Sequence, residues 1–459
     1  MKKIYSKIIG TGSHDFSSDR IVHNSYFLSK DFIFYKEEFY DAEKKKISKT
    51  RKDIVQRFEE ITGTKQRHYA ADGKLTSTLA IEAGENAIIS SKIDREELDC
   101  IIVANNFGDV MTKADKIDLV PCYAARIKNH LGIINPSVVA YDIEYGGPSD
   151  ERAFRMFQDA LGLGDKDLVI HINDHEQDDI MEVAEYLLPN CSVDKESLNS
   201  IVVVHCLGQK PSLAHKVKVG LGIKNPNTMT LDIFFGCTGF LQAMIQVDTM
   251  IKCGKIKKAL IIGAEILSRV AEEVDVDKML YGDGGGAVVI SAIESEEPVG
   301  LLYHKVRSDT FNQQAFMIQM GKSYDPNHND PNELFLKMQG RRVHKHALSL
   351  IPLIIKESLR EAGLRIEDIA KMVFHQPNPL MLEEIALRTF AQFDLPVPDG
   401  IMPIIGDTYG NSSVACIPLI LDRMYRNRLG DHKISSGDII MLLAIGGGMH
   451  INIAYYKIP

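Results

Sequence analysis

The chain has no tryptophan among its 459 residues, and no apolar run approaches the roughly 20 residues of a membrane-spanning helix. The first six residues lack the apolar core of a signal peptide, so we expect neither a leader nor a membrane span. There is no excess of positive charge: 62 Asp and Glu against 53 Lys and Arg give a formal net charge of −9, which argues against nucleic acid as a general partner. With 45% hydrophobic residues the chain can bury a large core, which predicts two similar layered halves.

Paired cysteines are absent as well. The seven cysteines show no CxxC or other paired spacing, and most of them lie in apolar segments, at positions 100, 122, 191, 206, 237, 253 and 416. Such a pattern favours free thiols in a reducing compartment over a disulfide framework or a metal cluster. We therefore expect a cytoplasmic protein without a bound metal.

One cysteine stands out by its position. Cys237 lies in the Phe-Gly-Cys-Thr-Gly-Phe segment 235–240, between a strand predicted over 228–235 and a helix predicted over 240–252. At the start of a helix the macrodipole and the free backbone N–H groups favour a thiolate over a thiol. The flanking glycines allow a sharp turn and a close approach of substrate. The pattern favours a nucleophile, although a small buried hydrophobic side chain is the alternative interpretation.

Two further polar residues occupy comparable positions. His375 follows an apolar strand predicted over 369–374, and Asn411 lies at a turn before an apolar helix predicted over 414–423. In a layered α/β fold such strand and turn ends meet at one rim of the sheet, where ligands usually bind. Taken singly, a structural histidine and a capping asparagine are the alternatives. The three residues together indicate an active site.

Segments spread along almost the whole chain carry a resemblance to a known family. They comprise an opening strand and turn, two short polar motifs, the cysteine segment, a glycine-rich turn, the start of a long helix, the histidine and asparagine blocks and a final glycine turn, at 8–13, 61–63, 67–69, 235–240, 281–287, 336–341, 375–378, 410–412 and 445–448. Their order and spacing are similar to those of the thiolase-fold condensing enzymes, in particular β-ketoacyl-ACP synthase III. The resemblance implies a thiolase-like α/β fold with α-β-α-β-α layers and two similar halves.

The resemblance also implies a mechanism. Cys237 would take an acyl group from a primer thioester, and its backbone N–H would form an oxyanion hole with the N–H groups of Gly447 and Gly448. His375 and Asn411 would donate hydrogen bonds to the thioester carbonyl of a malonyl group as it loses CO2. The carbanion would attack the acyl-cysteine and give a β-ketoacyl thioester. Such an acyltransferase of fatty acid, lipid or polyketide biosynthesis needs no cofactor beyond its acyl-CoA or acyl-ACP and malonyl-ACP substrates.

The implied partners are an acyl carrier protein, an acyl thioester primer and a second copy of the chain. Family members form homodimers by pairing edge strands of their N-terminal halves into one continuous sheet. An acidic carrier protein would need a basic patch, for which two groups of residues are candidates: Arg341, Arg342 and Lys345, or Lys252, Lys255, Lys257 and Lys258. Solvated helix faces and turns are an equally good interpretation of both groups.

The chain is longer than other members of this family, and an internal repeat explains the excess. Residues 93–99 recur at 193–199, residues 121–136 at 211–226 and residues 141–146 at 231–236. We interpret 91–179 as a degenerate copy and 180–268 as the active copy of one unit. Gly147 stands where the second copy has Cys237, so we expect Cys237 to be the sole nucleophile. The first copy could extend the sheet, form a separate lobe or cover the entrance of the site.

The resulting organisation has an N-terminal half, 1–295, that carries the nucleophile and a C-terminal half, 296–459, that carries the histidine and the asparagine. A polar helical region is predicted over 30–60, a loop over 308–332 and a long helix over 339–362.

Departures from the family pattern bear on the substrate. A tryptophan and an arginine hold the adenine of coenzyme A in similar enzymes, whereas Arg57 and Ile61 stand at those positions here. Pro379 and Leu380 replace a basic residue that usually follows the histidine block. These changes favour an ACP-borne primer, or a specialised lipid or polyketide condensation, over a primer carried by coenzyme A.

Two other functions stay open at this point. The chain could be a non-condensing protein on the same scaffold, an acyl carrier or binding subunit whose geometry the repeat has altered. A thiolase-like Claisen reaction without decarboxylation would add a second cysteine as base, and the candidate, Cys416, is predicted to lie inside a helix with a structural role.

Overall fold

The structure is a computed structural model that describes residues 2–32, 50–111, 116, 118–145, 166–173, 181, 194–206, 212–311 and 313–459. The strands in chain order are β1 (Lys3–Ser13), β2 (Arg20–His23), β3 (Gln66–Tyr69), β4 (Cys100–Ala104), β5 (Val139–Tyr145), β6 (Asp167–Asn173), β7 (Ser200–Cys206), β8 (Met229–Phe234), β9 (Lys258–Ile266), β10 (Asp283–Ser295), β11 (Gly300–Ser308), β12 (Ile318–Lys322), β13 (Leu334–Met338), β14 (Ile369–Phe374), β15 (Ile439–Gly446) and β16 (His450–Lys457). The α-helices are α1 (Arg51–Thr62), α2 (Thr76–Ser91), α3 (Tyr123–His130), α4 (Leu213–Gly220), α5 (Gly239–Lys252), α6 (Gly340–Ala362), α7 (Pro379–Ala391) and α8 (Cys416–Tyr425).

The larger sheet has the strand order β1-β10-β9-β4-β8-β5-β7-β6. Its central strand, β4, is apolar and fully buried because helices cover both faces of the sheet. Cys100, Ile102 and Ala104 pack in the cluster that contains α5, whereas the alternate residues Ile101 and Val103 pack in the cluster that contains α2 and α4. The period-two alternation of a strand thus serves two apolar layers at once.

The smaller sheet has the order β11-β16-β15-β14. One of its faces packs with α6 and α7. Its other face shares a core with α5 and α8, and that core also includes residues of the larger sheet. Helices therefore lie outside each sheet and between the two, in an α-β-α-β-α arrangement.

Some predicted elements differ from the observed ones. The loop predicted over 308–332 contains β12, which pairs antiparallel with β13. The segment 336–341 spans the end of β13 and the start of α6 at Gly340. The turn residues Asn, Asp and Pro between the two short strands concealed the pairing. Of the polar helical region 30–60, the structure describes α1, and residues 33–49 lie outside the described part.

The residues assigned to the first repeat copy extend the larger sheet, because β5 and β6 join it together with β7. As a consequence β8, the strand before Cys237, is paired on both sides, parallel to β4 and antiparallel to β5. Gly147 falls among residues that the structure does not describe. The repeat and the division at residue 295 stay predictions.

Among the described residues no helix combines the length and the apolar character that crossing a membrane requires.

Candidate active site

Cys237, His375 and Asn411 line one cavity, which holds about 620 Å³ of space free of atoms, counted with its opening to solvent. The three residues come from the turn after β8, the end of β14 and the loop before α8. The walls are largely apolar and include Phe107, Val120, Leu267, Leu336, Met338 and Met381. The structure therefore brings together the three side chains that the sequence singled out, and it places them beside an apolar chamber.

The turn at Cys237 depends on its glycines. Gly236 has φ of +58°, and a Cβ there would lie 2.6 Å from the backbone N of Gly447. The N–H of Gly239 donates to the carbonyl of Gly236 at 3.2 Å, and the hydroxyl of Thr238 donates to the carbonyl of Phe235 at 2.6 Å. These bonds close the turn and present the sulfur just before the first residue of α5.

The predicted oxyanion glycines lie beside this turn, but they do not share one environment. A Cβ on Gly446 would lie 2.4 Å from the backbone N of Cys237, so only glycine permits this approach. Gly446 and Gly447 line the cavity. Gly448, with φ of +79°, instead faces the ring of His450, whose Nε2 would lie 2.1 Å from an added Cβ.

The histidine and asparagine form a hydrogen-bonded pair. The Nε2 of His375 lies 3.0 Å from Oδ1 of Asn411, and the backbone N–H of Ser413 donates to the same Oδ1 at 2.8 Å. A backbone N–H can only donate, so it fixes the oxygen of the Asn411 amide on this side. His375 must then donate through Nε2, which defines the Nε2–H tautomer of a neutral imidazole.

Burial sets the charge of this histidine. It lowers the pKa of His375 to about 4, because the ring is enclosed and no carboxylate faces it to stabilise the charged form. In the described part of the chain the buried Nδ1 has no hydrogen-bond partner. Backbone bonds hold the pair in place, since the N–H of His375 donates to Leu443 and the N–H of Asn411 donates to Leu280, both at 2.8 Å.

The cysteine differs from the expectation of a thiolate. Burial raises the pKa of the Cys237 thiol to about 12, and the hydroxyl of Ser413, which donates to the sulfur at 3.2 Å, only partly offsets this. Desolvation of the anion thus outweighs the favourable helix terminus. The sequence could not reveal how far the fold would desolvate the sulfur of this half-buried cysteine.

Ser413 is the functional residue that sequence reasoning missed. It lines the cavity, contacts the cysteine sulfur, and has φ of +54°, a conformation that side-chain-bearing residues rarely adopt. Strained backbone of this kind is often found at functional sites. Its place two residues after Asn411 was visible in the sequence, but the direction of its hydroxyl was not.

A second buried group stands behind Ser413. Nδ2 of Asn106 lies 3.4 Å from the hydroxyl oxygen of Ser413 and donates to Oε2 of Glu265 at 2.8 Å. The backbone N–H of Asn106 donates to the same Oε2 at 3.0 Å. Burial raises the pKa of the Glu265 carboxyl to about 8, so it holds its proton at neutral pH. The sequence signal was an acidic residue at the end of the apolar strand β9.

The remaining candidates lie elsewhere or in structural positions. Cys416 is buried in α8, with its sulfur 3.5 Å from the hydroxyl of Ser412 and 3.7 Å from Oδ1 of Asn411. Ile61 is 52% exposed on α1. Lys252 pairs with Asp248 at 2.7 Å, and Lys258 pairs with Glu97. Over the described ranges no cluster of three or more metal-ligating side chains occurs.

Comparison with known proteins shows the family to which the chain belongs. Residues 231–310 match the family model of 3-oxoacyl-[acyl-carrier-protein (ACP)] synthase III, and residues 359–458 match the model of its C-terminal part. The β-ketoacyl-[acyl-carrier-protein] synthase III of Erythrobacter litoralis is 32% identical over 272 residues, which cover 58% of this chain and 79% of that protein. The chain belongs to the β-ketoacyl-ACP synthase III family. Its members are acyltransferases of fatty acid biosynthesis.

Other comparisons agree with this assignment. The synthase III of Neorickettsia sennetsu is 29% identical over 290 residues, which cover 61% of this chain and 85% of that protein. The crystal structure of the synthase III from Pseudomonas aeruginosa PAO1 superimposes with a TM-score of 0.62 at 19% identity, covering 99% of this chain and 98% of that one. The priming β-ketosynthase of the R1128 polyketide pathway gives a TM-score of 0.62 at 18% identity, covering 100% and 97%. The thiolase-like fold predicted from the sequence is therefore confirmed.

Proposed function

We propose that this synthase III family member loads a primer acyl group on Cys237 and condenses it with a malonyl thioester, giving a β-ketoacyl thioester. The observation that carries the proposal is the meeting of Cys237, His375 and Asn411 at one apolar cavity. The nucleophile and the hydrogen-bond donors, which come from both sheets, thereby face the same small volume. This is required because the carbonyl carbon of the primer is attacked twice, first by the sulfur and then by the enolate carbon.

The first half-reaction is a thioester exchange. The sulfur of Cys237 attacks the carbonyl carbon of the primer thioester, a new C–S bond forms, and the carrier thiolate leaves with the proton that the cysteine gives up. The backbone N–H of Cys237, together with that of Gly447 or Gly448, stabilises the oxyanion. Donors of this kind are worth about a hundredfold to a thousandfold in rate. The raised pKa of Cys237 means that proton removal belongs to this step.

The second half-reaction builds the carbon–carbon bond. The C–CO2 bond of the malonyl group breaks, CO2 leaves, and the electron pair enters the thioester as an enolate. The Nε2–H of His375, released from Oδ1 of Asn411, and the amide N–H of Asn411 donate to the enolate oxygen. The enolate carbon then attacks the acyl-cysteine, the β-ketoacyl thioester forms, and Cys237 leaves as a thiolate that takes up one proton.

The proposed partners follow from this chemistry. The extender is malonyl-ACP, so an acyl carrier protein docks at the cavity entrance, and no further cofactor takes part. The apolar walls suit an aliphatic or aromatic primer. An acyl-ACP primer is favoured over acyl-CoA because Ile61 is an exposed apolar residue, where a residue that stacks on adenine would be needed. The product enters fatty acid or related lipid or polyketide biosynthesis in the cytoplasm.

Intact-protein mass spectrometry tests the proposal. The wild type, incubated with a panel of acyl-CoA and acyl-ACP primers, should gain one acyl group that malonyl-ACP then removes with release of the β-ketoacyl product. Cys237→Ala should gain none. Cys253→Ala is the matched control, because Cys253 is an exposed free cysteine and its loss should leave the adduct unchanged. A folded wild type that forms no adduct with any primer would instead support a non-condensing scaffold.

A further inference from the structure

The two predicted repeat copies contribute strands to the larger sheet in a matched way. In one group of strands β4 pairs in parallel with β8 through Cys100↔Met229, and with β9 through Cys100↔Ala259. In the other group β7 pairs in parallel with β5 through Val139↔Ser200, and with β6 through Asp167↔Ser200. Ser200 is the repeat equivalent of Cys100, and Val139 of Met229, so the two groups have the same internal register.

The two groups meet along β5 and β8 in a symmetric register. Ile143 pairs with Ile233, its own repeat equivalent. On either side, Asp142 pairs with Phe234 and Glu144 with Asp232, so each pair maps onto the other when the copies are exchanged. An antiparallel contact in which residue i meets j and the equivalent of j meets that of i is the signature of a two-fold, isologous interface.

Side-chain caps repeat this symmetry. The carboxylate of Asp142 accepts the backbone N–H groups of Tyr123 and Ala124 at the start of α3, both at 2.8 Å. The carboxylate of Asp232 accepts those of Leu213 and Ala214 at the start of α4, at 2.6 and 2.7 Å. Each helix is therefore docked on its strand by the same device.

Each copy also makes hydrogen bonds to the loop of the other copy. Glu196 accepts the N–H groups of Ile134 and Asn135, whereas Glu96 accepts those of Lys224 and Asn225. In both cases the glutamate of one copy caps the loop of the other. The first strand of each copy thus lies in the group formed by the rest of its counterpart, as in a domain swap within one chain.

The first copy also reaches the active site. Val120, in the loop before α3, lines the cavity of Cys237. A Cβ on Gly447 would lie 2.9 Å from Cγ1 of Val120, and the carbonyl of Val120 accepts the N–H of Met320 at 2.9 Å. The cavity wall beside the glycine turn is thus incomplete without a residue of the first copy.

We propose that the first repeat copy is a built-in partner: it covers β8 about a pseudo-two-fold axis and supplies the Val120 wall, so that one chain is a complete catalytic unit. Contact between two chains through β8 is then excluded, and any pairing of chains through the described strands of this sheet uses the end strands of that set, β1 and β6. The homodimer expected from the family would therefore need another surface. That the cavity binds the primer rests on the proposed function, whereas the contribution of Val120 from the same chain to its wall does not.

A complementation experiment tests this. Val120→Trp fills the cavity and should slow alkylation of Cys237 by iodoacetamide roughly tenfold or more. Ile134→Trp, at a 59% exposed position in the same copy, is the control and should alkylate at the wild-type rate. The Val120→Trp chain is then coexpressed and purified with Cys237→Ala, whose wall is intact. We expect no recovery of the alkylation rate, because each chain uses its own wall.

Recovery towards the wild-type rate would overturn the proposal, since the wall would then come from another chain. Alkylation needs no primer, so a failure of the condensation chemistry alone would leave this measurement unaffected. If Val120→Trp does not fold, Val120→Leu provides the smaller change and is tested with the same control. A dilution series completes the test, with light scattering used to follow the association of chains. The rates of alkylation and condensation per chain should stay constant on dilution, and a fall in both would contradict a self-sufficient chain.

Discussion

Removal of the Ser413 hydroxyl tests how the chain stabilises the thiolate form of the half-buried Cys237. The hydroxyl donates to the sulfur of Cys237 at 3.2 Å, and it opposes the desolvation that raises the thiol pKa. Ser413→Ala removes the donor and keeps the Cβ, so the cavity changes little in shape. The thiolate loses a stabilising bond, whereas the thiol loses a weaker one, and we expect the pKa of Cys237 to rise further.

The magnitude follows from the strength of the lost bond. A hydrogen bond to a charged group contributes about 1.5–3 kcal/mol, and about 1.4 kcal/mol corresponds to one pKa unit, so the pKa should rise by about 1–2 units. A thiolate of higher pKa is also a better nucleophile, which recovers about half of the logarithmic loss in rate. We therefore expect Ser413→Ala to alkylate about 3- to 10-fold more slowly at any pH well below the pKa.

The assay is alkylation of Cys237 by iodoacetamide between neutral and mildly alkaline pH, read by peptide mass spectrometry. The wild type and Ser413→Ala should give parallel lines of log rate against pH. Ser412→Ala is the control, because its hydroxyl lies 3.5 Å from the sulfur of Cys416 rather than at Cys237. Ser413→Gly should relieve the strain of φ +54° and still slow alkylation to the same extent. Equal rates for Ser413→Ala and the wild type would refute the reasoning.

Three further predictions concern the neighbouring groups. His375→Ala should still form the acyl adduct on Cys237 but lose about a hundredfold or more in condensation, and loss of adduct formation would contradict a role confined to the second half-reaction. Glu265 holds its proton in the folded state from its ordinary pKa of 4.5 up to about 8, so its contribution to the free energy of unfolding falls by up to about 1.4 kcal/mol per unit as pH rises through that range. Glu265→Gln should abolish this slope in urea titrations at several pH values; an unchanged slope would rule out a buried neutral carboxyl. Gly446→Ala, whose Cβ would lie 2.4 Å from the backbone N of Cys237, should suppress acylation and lower the melting temperature, whereas Gly340→Ala, whose nearest contact is at 3.7 Å, should change neither.

The sequence predicted the parts of the site that depend on local pattern. Cys237, His375 and Asn411 each follow an apolar strand or precede an apolar helix, and the fold brings such ends together at one cavity. The strands that carry them have nearly the predicted bounds, because β8 and β14 are short, apolar and bounded by turn residues. Local hydrophobicity and turn chemistry were sufficient for these elements.

What the sequence could not predict depends on contacts between distant segments. The protonation of Cys237 and Glu265 follows from burial that only the assembled sheets create. The hydroxyl of Ser413 reaches the sulfur because its residue adopts positive φ, which no local propensity favours for serine. The hairpin of β12 and β13 was concealed because its turn is rich in polar residues and its strands are only five residues long. The position of the predicted first copy in the sheet follows from the pairing registers of its strands, and sequence similarity between two copies does not contain that information.

The antiparallel contact between β5 and β8 has an evolutionary consequence. In a homodimer every substitution occurs in both subunits, so no residue at the interface can change on one side alone. Here the two sides of a two-fold-like contact are encoded separately, and each can drift without the other. The predicted repeat alignment is consistent with such divergence, since it sets Gly147 of one copy opposite Cys237 of the other. If the proposed internal partner is correct, it would be released from catalysis and free to specialise in shaping the cavity of its neighbour.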